Sequence, residues 1–332
     1  MRILNTFLLF VAIIILNSNA ENKWLTQHDY GTANEVLCGA CEAHPSDPNG
    51  GFLIVGFNRD NYESIFIRID RFGNTLWRKD GTLGEGAGVK GAHYTDDQGF
   101  LIVGNFGLTK INSSGDLVGY GIITIGEFSS EYIKRYTTDR YIILYDAFTK
   151  ACTFNSTTKA KINTISFESS EKYYEVENIG TSKFIFSGEN NGTDLRLLRT
   201  SSSLSPDGTF GLSGRKTYRS YAFGSAIDYC SDGRYIVACE EKSSHKIKLL
   251  KINSSGTIYT SFNYTPSLQI AYVSVGLKKS MGVKQLSDGS FILGGKYDDG
   301  SGEDDLFIQL VSSSGSSANT LPFPNAGEDC DY

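Results

Sequence analysis

An all-β fold of six repeated units, each a four-stranded antiparallel sheet, is predicted by three observations. An aromatic-led apolar core recurs six times, as GFLIVG (51–56), GFLIVG (99–104), RYIILY (140–145), KFIFSG (183–188), RYIVAC (234–239) and SFILGG (290–295). The hexapeptide KINSSG stands at 110–115 and again, letter for letter, at 251–256. No stretch shows the 3.6-residue apolar period of an amphipathic helix, whereas short alternating runs bounded by turn residues are frequent.

In chain order, residues 1–20 come first. Arg2 precedes an apolar run from Phe7 to Leu16, and the segment ends on Ser18-Asn19-Ala20. The run is too short for the roughly 20 residues a spanning helix needs, and the small residues suit cleavage, so a secretory signal peptide cut after Ala20 is expected. Removing it takes one Arg and no acid, which moves the formal charge from -6 to -7. Sparse, mixed charge with no basic run excludes a nucleic-acid partner. No later segment is long enough to insert in a membrane.

Residues 21–325 follow as one domain. The core segments are spaced by 48, 41, 43, 51 and 56 residues, the length of a four-stranded propeller blade. Each unit opens on an alternating strand that ends in a turn such as SDG (231–233, 287–289) or DDQG (96–99). The apolar strand comes next, then a polar loop and an alternating strand such as SIFIRID (64–70), DLRLLRT (194–200), KIKLLKI (246–252) or DLFIQLV (305–311). A Gly-containing turn and a last strand complete the unit. KINSSG is the end of the third strand and the turn into the fourth, where Asn and Ser tolerate tight turns and Gly supplies positive φ. The opening run 22–40 resembles 74–92, with Trp24 on Trp77, so the mature chain begins on a fourth strand. A six-bladed β-propeller closed by pairing of N- and C-terminal strands is expected, with SSANTLPFP (316–324) as the rival source of the last outer strand. Residues 326–332 form a tail.

Taken together, residues 49–80 and their counterparts resemble extracellular β-propeller repeat proteins of the DGGfiivG type, whose blade continues through a loop and d-l-l-Kld-x-G to a Trp. The matching residues, among them Asp194, Asp305 and the turn glycines, build the blade. The likeness to kelch propellers is confined to Gly294-Gly295, and two Trp are too few for a quinoprotein-type ring with a Trp in most blades.

Chemistry is sparse. Five Asn-x-Ser/Thr sequons, at Asn112, Asn155, Asn191, Asn253 and Asn263, are candidate glycosylation sites. Six cysteines, at 38, 41, 152, 230, 239 and 330, suit an oxidising compartment. A two-residue Asp232-Gly233 turn would set Cys230 opposite Tyr235 and Cys239 opposite Ala226, about 13 Å apart along the strand, which excludes a bond between the two thiols. Cys330 is expected to tether the tail to Cys38 or Cys41. Cys38-Gly-Ala-Cys41 before His44 lacks the second ligand pair of a structural zinc site. The loop holding Asp298, Asp299, Glu303, Asp304 and Asp305 offers oxygen ligands to calcium, the one cofactor considered. GxGxxG at 86–91 runs into a strand rather than a helix, and no nucleophile elbow or HExxH occurs.

These readings favour a secreted glycoprotein that acts as a non-catalytic scaffold for an extracellular protein or glycan. A secreted carbohydrate-active hydrolase or lyase using Asp228, Asp288 and Glu42, and a structural component of an extracellular coat, are the alternatives. An enzyme would require converging carboxylates or a His at the channel mouth, whereas a binding module presents aromatics and amides.

Overall fold

The computed structural model describes residues 35–58, 61, 63–83, 88–118, 123, 130–244, 246–264, 281–298 and 304–323. These residues form 22 strands in six antiparallel sheets, and no helix occurs among them. The architecture is a six-bladed β-propeller.

Residues Ser18–Ser166 make one compact unit and Phe167–Tyr332 a second. In the first unit, blade 1 is β1 (Glu35–Glu42), β2 (Phe52–Asn58), β3 (Ser64–Ile69) and β4 (Thr75–Asp80). Blade 2 is β5 (Val89–Tyr94), β6 (Phe100–Gly104) and β7 (Gly107–Ile111), with bridges Leu108–Ile123 and Ile111–Leu117 marking its fourth place. Blade 3 is β8 (Ser130–Thr137), β9 (Arg140–Tyr145), β10 (Lys150–Asn155) and β11 (Ala160–Ser166). In the second unit, blade 4 is β12 (Glu171–Ile179), β13 (Lys183–Asn190), β14 (Asp194–Ser201) and β15 (Arg215–Tyr218). Blade 5 is β16 (Tyr221–Tyr229), β17 (Tyr235–Glu241) and β18 (Lys246–Ile252), with a bridge Ile252–Ile258. Blade 6 is β19 (Met281–Gln285), β20 (Phe291–Asp298), β21 (Asp304–Val311) and β22 (Ser317–Phe323). The last blade therefore takes its outer strand from SSANTLPFP; the opening run around Trp24 lies outside the described residues.

The second strands read as unbroken apolar runs because both of their faces are covered. Phe100 and Ile102 pack against Leu53, Val55 and Phe66 of blade 1, while Leu101 and Val103 pack against Ile133, Tyr141 and Ile143 of blade 3. In the second unit, Tyr235, Val237 and Cys239 face Ile185, Leu195 and Leu197 of blade 4, and Ile236 and Ala238 face Phe291, Leu293 and Phe307 of blade 6. The core is thus a set of layers between blades. At about 25 cal/mol per Å² of apolar surface, these layers dominate the favourable side of folding.

The 1–2 turn of blade 5 corrects the expected register. Gly233 N donates to Cys230 O and Cys230 N to Arg234 O, with Gly233 at φ 79°, so the loop is one residue longer than a two-residue hairpin. Tyr229 therefore faces Tyr235, and Ala226 faces Ala238. Cys230 and Cys239 are separate buried thiols in either register.

KINSSG has three built functions. Lys110 and Lys251, both late in the third strand, pair with Asp97 and Asp232 of their own blade's 1–2 turn. Asn112 Oδ1 accepts from Ser114 N and Asp116 N, and Asn253 Oδ1 from Ser255 N and Thr257 N, closing the 3–4 turn. Gly115 and Gly256, at φ 83° and 85°, lie under a ring of the preceding blade. A Cβ on Gly115 would stand 2.8 Å from the Trp77 ring, and one on Gly256 3.1 Å from Phe210. Trp77 Nε1 also donates to Ser113 O at 2.9 Å, and Tyr218 Oη to Gly256 O at 2.8 Å. The hexapeptide is where one blade seats the outer strand region of its neighbour.

Candidate interaction face

The innermost strands end where the 1–2 turns begin, and one residue of each occupies the same place, opposite the aromatic that opens the second strand. In the first unit these are Glu42, Tyr94 and Arg135. In the second they are Asn178, Tyr229 and Gln285. Five of the six inner strands carry a register shift further back, beginning at Leu37, Val89, Ser130, Tyr173 and Ala222. Such bulges re-aim side chains. Lys90 and Glu131 lie within two of them and pair across blades 2 and 3 at 2.8 Å.

Around Tyr94 the first unit assembles a polar and aromatic cluster. His44 meets the ring edge-on at 5.4 Å between centroids, and the Arg135 guanidinium lies 5.0 Å over it. Asp96 is ion-paired with Arg135, and His44 Nε2 lies 3.6 Å from the same carboxylate. Ser46 Oγ is 2.7 Å from His44 Nδ1, and Gln98 Nε2 donates to Ser46 Oγ at 3.3 Å. Serine, histidine and aspartate are thus aligned, but Nδ1 also accepts the backbone N–H of Ser46 at 3.1 Å and Arg135 claims Asp96. The trio orders a turn. His93, one residue before Tyr94, is pushed down to about 3 by burial and by the charges of Lys134 and Arg135, so it is neutral and packs on Tyr94 and Tyr141.

In the second unit, Asp228 is the one inner-strand carboxylate of the expected set that is buried. It accepts from Lys284 Nζ at 2.6 Å and Gln285 N at 2.8 Å, tying blade 5 to blade 6. Burial and the nearby Glu177 charge raise its pKa against the pull of Lys284. Glu175 Oε2 accepts from Ile227 N at 2.8 Å, a matching tie between blades 4 and 5. Beside them Tyr229 is 36% exposed, and the Arg234 guanidinium stacks 4.2 Å over Tyr259, itself 37% exposed. Exposed Tyr next to Arg is the composition of binding hot spots.

Solved structures of similar architecture include the WD40 repeats of RRP9 and U3-55K. Both have a TM-score of 0.57 at 8% identity, over 88% of this chain and 82% or 83% of theirs. The likeness is one of fold. No protein-family model matches the chain, and neither does any curated protein.

The remaining sequence-expected residues scatter. Asp288 is an exposed turn carboxylate accepting from Ser290 N and Oγ, and Glu42 is exposed in blade 1. Cys41 is a buried thiol whose pKa is raised by burial; Cys330 and the Cys38 side chain lie outside the described residues. Asp298 pairs in register with Asp304 across the acidic hairpin, Tyr297 pairs with Asp305, and Asp299 and Glu303 lie outside the described residues. Asn191 and Asn263 are exposed, Asn112 and Asn253 half-buried, and Asn155 is 8% exposed.

Sequence reasoning missed the pairing of turn acids with third-strand cations. Arg68, Lys110, Arg199 and Lys251 share one register, opposite Leu53, Leu101, Ile185 and Ile236. Arg68 pairs with Asp47, and Arg199 with Asp207, which replaces the turn acid that blade 4 lacks. The K of the Kld pattern was the available signal, but its partner is visible only once the hairpin register is known.

Proposed function

We propose that the chain is a secreted, non-catalytic scaffold that takes a protein partner at the inner-strand ends of the blades within a unit. The observation that carries this reading is the composition at that level. Glu42, Tyr94 and Arg135 in one unit, and Asn178, Tyr229 and Gln285 in the other, offer rings, amides and a guanidinium with a single carboxylate. Such groups suit recognition, whereas general acid–base chemistry requires paired titratable groups. Asp228, the best carboxylate for a hydrolase, already accepts two donors from blade 6. Secretion is supported by residues 1–20, whose short apolar run ends on Ser18-Asn19-Ala20.

The test expresses the full chain, with a C-terminal tag, in eukaryotic cells, and cross-links the purified wild type and a Tyr94→Ala/Tyr229→Ala variant in native extracellular fluid. A protein captured by the wild type and lost by the folded variant supports the reading. Equal capture by both, or by neither, overturns the site. Retention of the tagged chain inside the cell overturns secretion.

A further inference from the structure

Asn155 ends the third strand of blade 3, Asn112 and Asn253 directly follow those of blades 2 and 5, and each uses its Oδ1 to close the turn. Their amide nitrogens differ. Asn155 Nδ2 donates to Asp139 Oδ2 at 2.6 Å from a residue only 8% exposed, whereas the Asn112 amide faces the exposed Asp116 carboxyl and Asn253 Nδ2 makes no hydrogen bond among the described residues. The cause lies two residues earlier. Lys110 and Lys251 satisfy the turn acids Asp97 and Asp232, so neither Asn112 nor Asn253 is drawn inward onto them. In blade 3 that place is Thr153, fully buried, so Asp139 draws its donor from Asn155. Ser156 N and Oγ both donate to Asp139 O and fasten the segment further. The two remaining sequons are open. Asn191 is exposed at φ 56° in the 2–3 turn of blade 4, and Asn263 is exposed with its backbone N–H held by Ser314 O.

We infer that Asn112, Asn191, Asn253 and Asn263 carry N-linked oligosaccharides in the folded protein and that Asn155 does not. The inference rests on the secretory reading above. In the transfer, Nδ2 forms a bond to the anomeric carbon of a lipid-pyrophosphate-linked oligosaccharide. The bond from that carbon to the pyrophosphate oxygen breaks, the pyrophosphate leaves with the electron pair, and one Nδ2 proton passes to a base. Oδ1 is untouched, so the turn caps of Asn112 and Asn253 survive modification. At Asn155 the same product would replace the hydrogen that faces Asp139 and place a sugar where the side chain is buried, so a chain modified there cannot close blade 3.

The experiment collects the full chain from the medium of eukaryotic cells and maps glycopeptides after enzymatic deglycosylation in heavy-oxygen water, which marks each occupied Asn as labelled Asp. Marks at the four open sites and none at Asn155 are expected. Ser114→Ala, Thr193→Ala, Ser255→Ala and Thr265→Ala should each remove one glycan, and Thr157→Ala none. A labelled Asn155 in folded, secreted protein overturns the inference, as does secreted protein with no glycan while secretion itself stands. Retention in the cell overturns the secretory reading and the inference with it.

Discussion

Blades 3 and 5 share a turn grammar and complete it with different partners. In blade 5, Lys251 reaches Asp232 at 2.8 Å and Asn253 closes only its own turn. In blade 3, Thr153 stands where the lysine would be, and Asn155 serves both its turn and Asp139. The difference teaches that in blades 1, 2, 3 and 5 the acid of the 1–2 turn is fixed by a donor from the third strand. A carboxylate held against the sheet requires a donor and takes what the third strand supplies. Blade 1 gives the most buried version, with Arg68 on Asp47 and on the carbonyls of Gly50, Phe52 and Ile69. Blade 6 has Leu310 at this register, and Asp288 turns back on Ser290.

The largest effect is expected where the donor is most buried. Arg68 is 1% exposed, and Arg68→Met would remove the cation from Asp47, leaving that carboxylate the Asn49 N–H, and take a donor from three carbonyls, at a cost of about 3–5 kcal/mol, the usual result of breaking a buried pair from one side. Urea unfolding checks this, and a loss under 1 kcal/mol would remove the pairing from the account of the blade. Gly115→Ala comes next. It adds about 1–2 kcal/mol for a left-handed residue and about 1–3 kcal/mol for overpacking against Trp77. Gly289 has the same backbone, at φ 85°, but its nearest neighbour to a new Cβ is 3.8 Å away. Gly289→Ala should therefore cost only the first part, and equal losses at the two sites would show that the ring over KINSSG contributes nothing.

Much of the fold was legible because blade building is local. The six second strands, the third strands and the 3–4 turns follow from alternation, apolar runs and Asn-Ser-Ser-Gly chemistry within a few residues. Cross-strand facts were not. The loop around Asp232 is one residue longer than its Asp-Gly suggests, because Cys230 and Arg234 still bond across it, and this moved the expected partners of Ala226–Tyr229 by one. The seat of Trp77 on Gly115 joins residues 38 apart in different blades, and no local pattern announces it. The same limit hid the inner-strand ends, since Tyr94 and Arg135 in one unit, and Tyr229 in the other, look like ordinary strand residues until each hairpin register is known.

A smaller effect, visible in pH dependence, is expected at Lys251. Burial works to raise Asp232, but hydrogen bonds from Lys251 and Arg234 overcome it and hold the carboxyl below its ordinary value. A depressed folded pKa stabilises above the unfolded value of about 3.9, and the benefit is lost as pH falls through the folded pKa. Lys251→Met should lower stability at pH 7 by about 1 kcal/mol, since Asp232 is one-third exposed and keeps Arg234, and the variant should lose less on acidification than the wild type. Parallel curves from pH 7 to pH 3 would contradict the assignment.

The smallest effect is expected in blade 6, where the comparison is sharpest. Asp288 occupies the turn place of Asp232 and its carboxyl is likewise lowered, but the cause is the hydroxyl and N–H of Ser290 rather than a cation. Asparagine keeps the Oδ1 acceptor that both bonds use. Asp288→Asn should leave the urea midpoint unchanged within error, whereas Asp232→Asn forfeits the charge that Lys251 and Arg234 face and should shift it measurably. Equal shifts would mean that the turn geometry, and not the third-strand cation, makes the acid matter. Unequal shifts in the expected order would show that two sequence-identical SDG turns differ through the residues around them, Arg234 and Lys251 in blade 5 and Ser290 and Leu310 in blade 6.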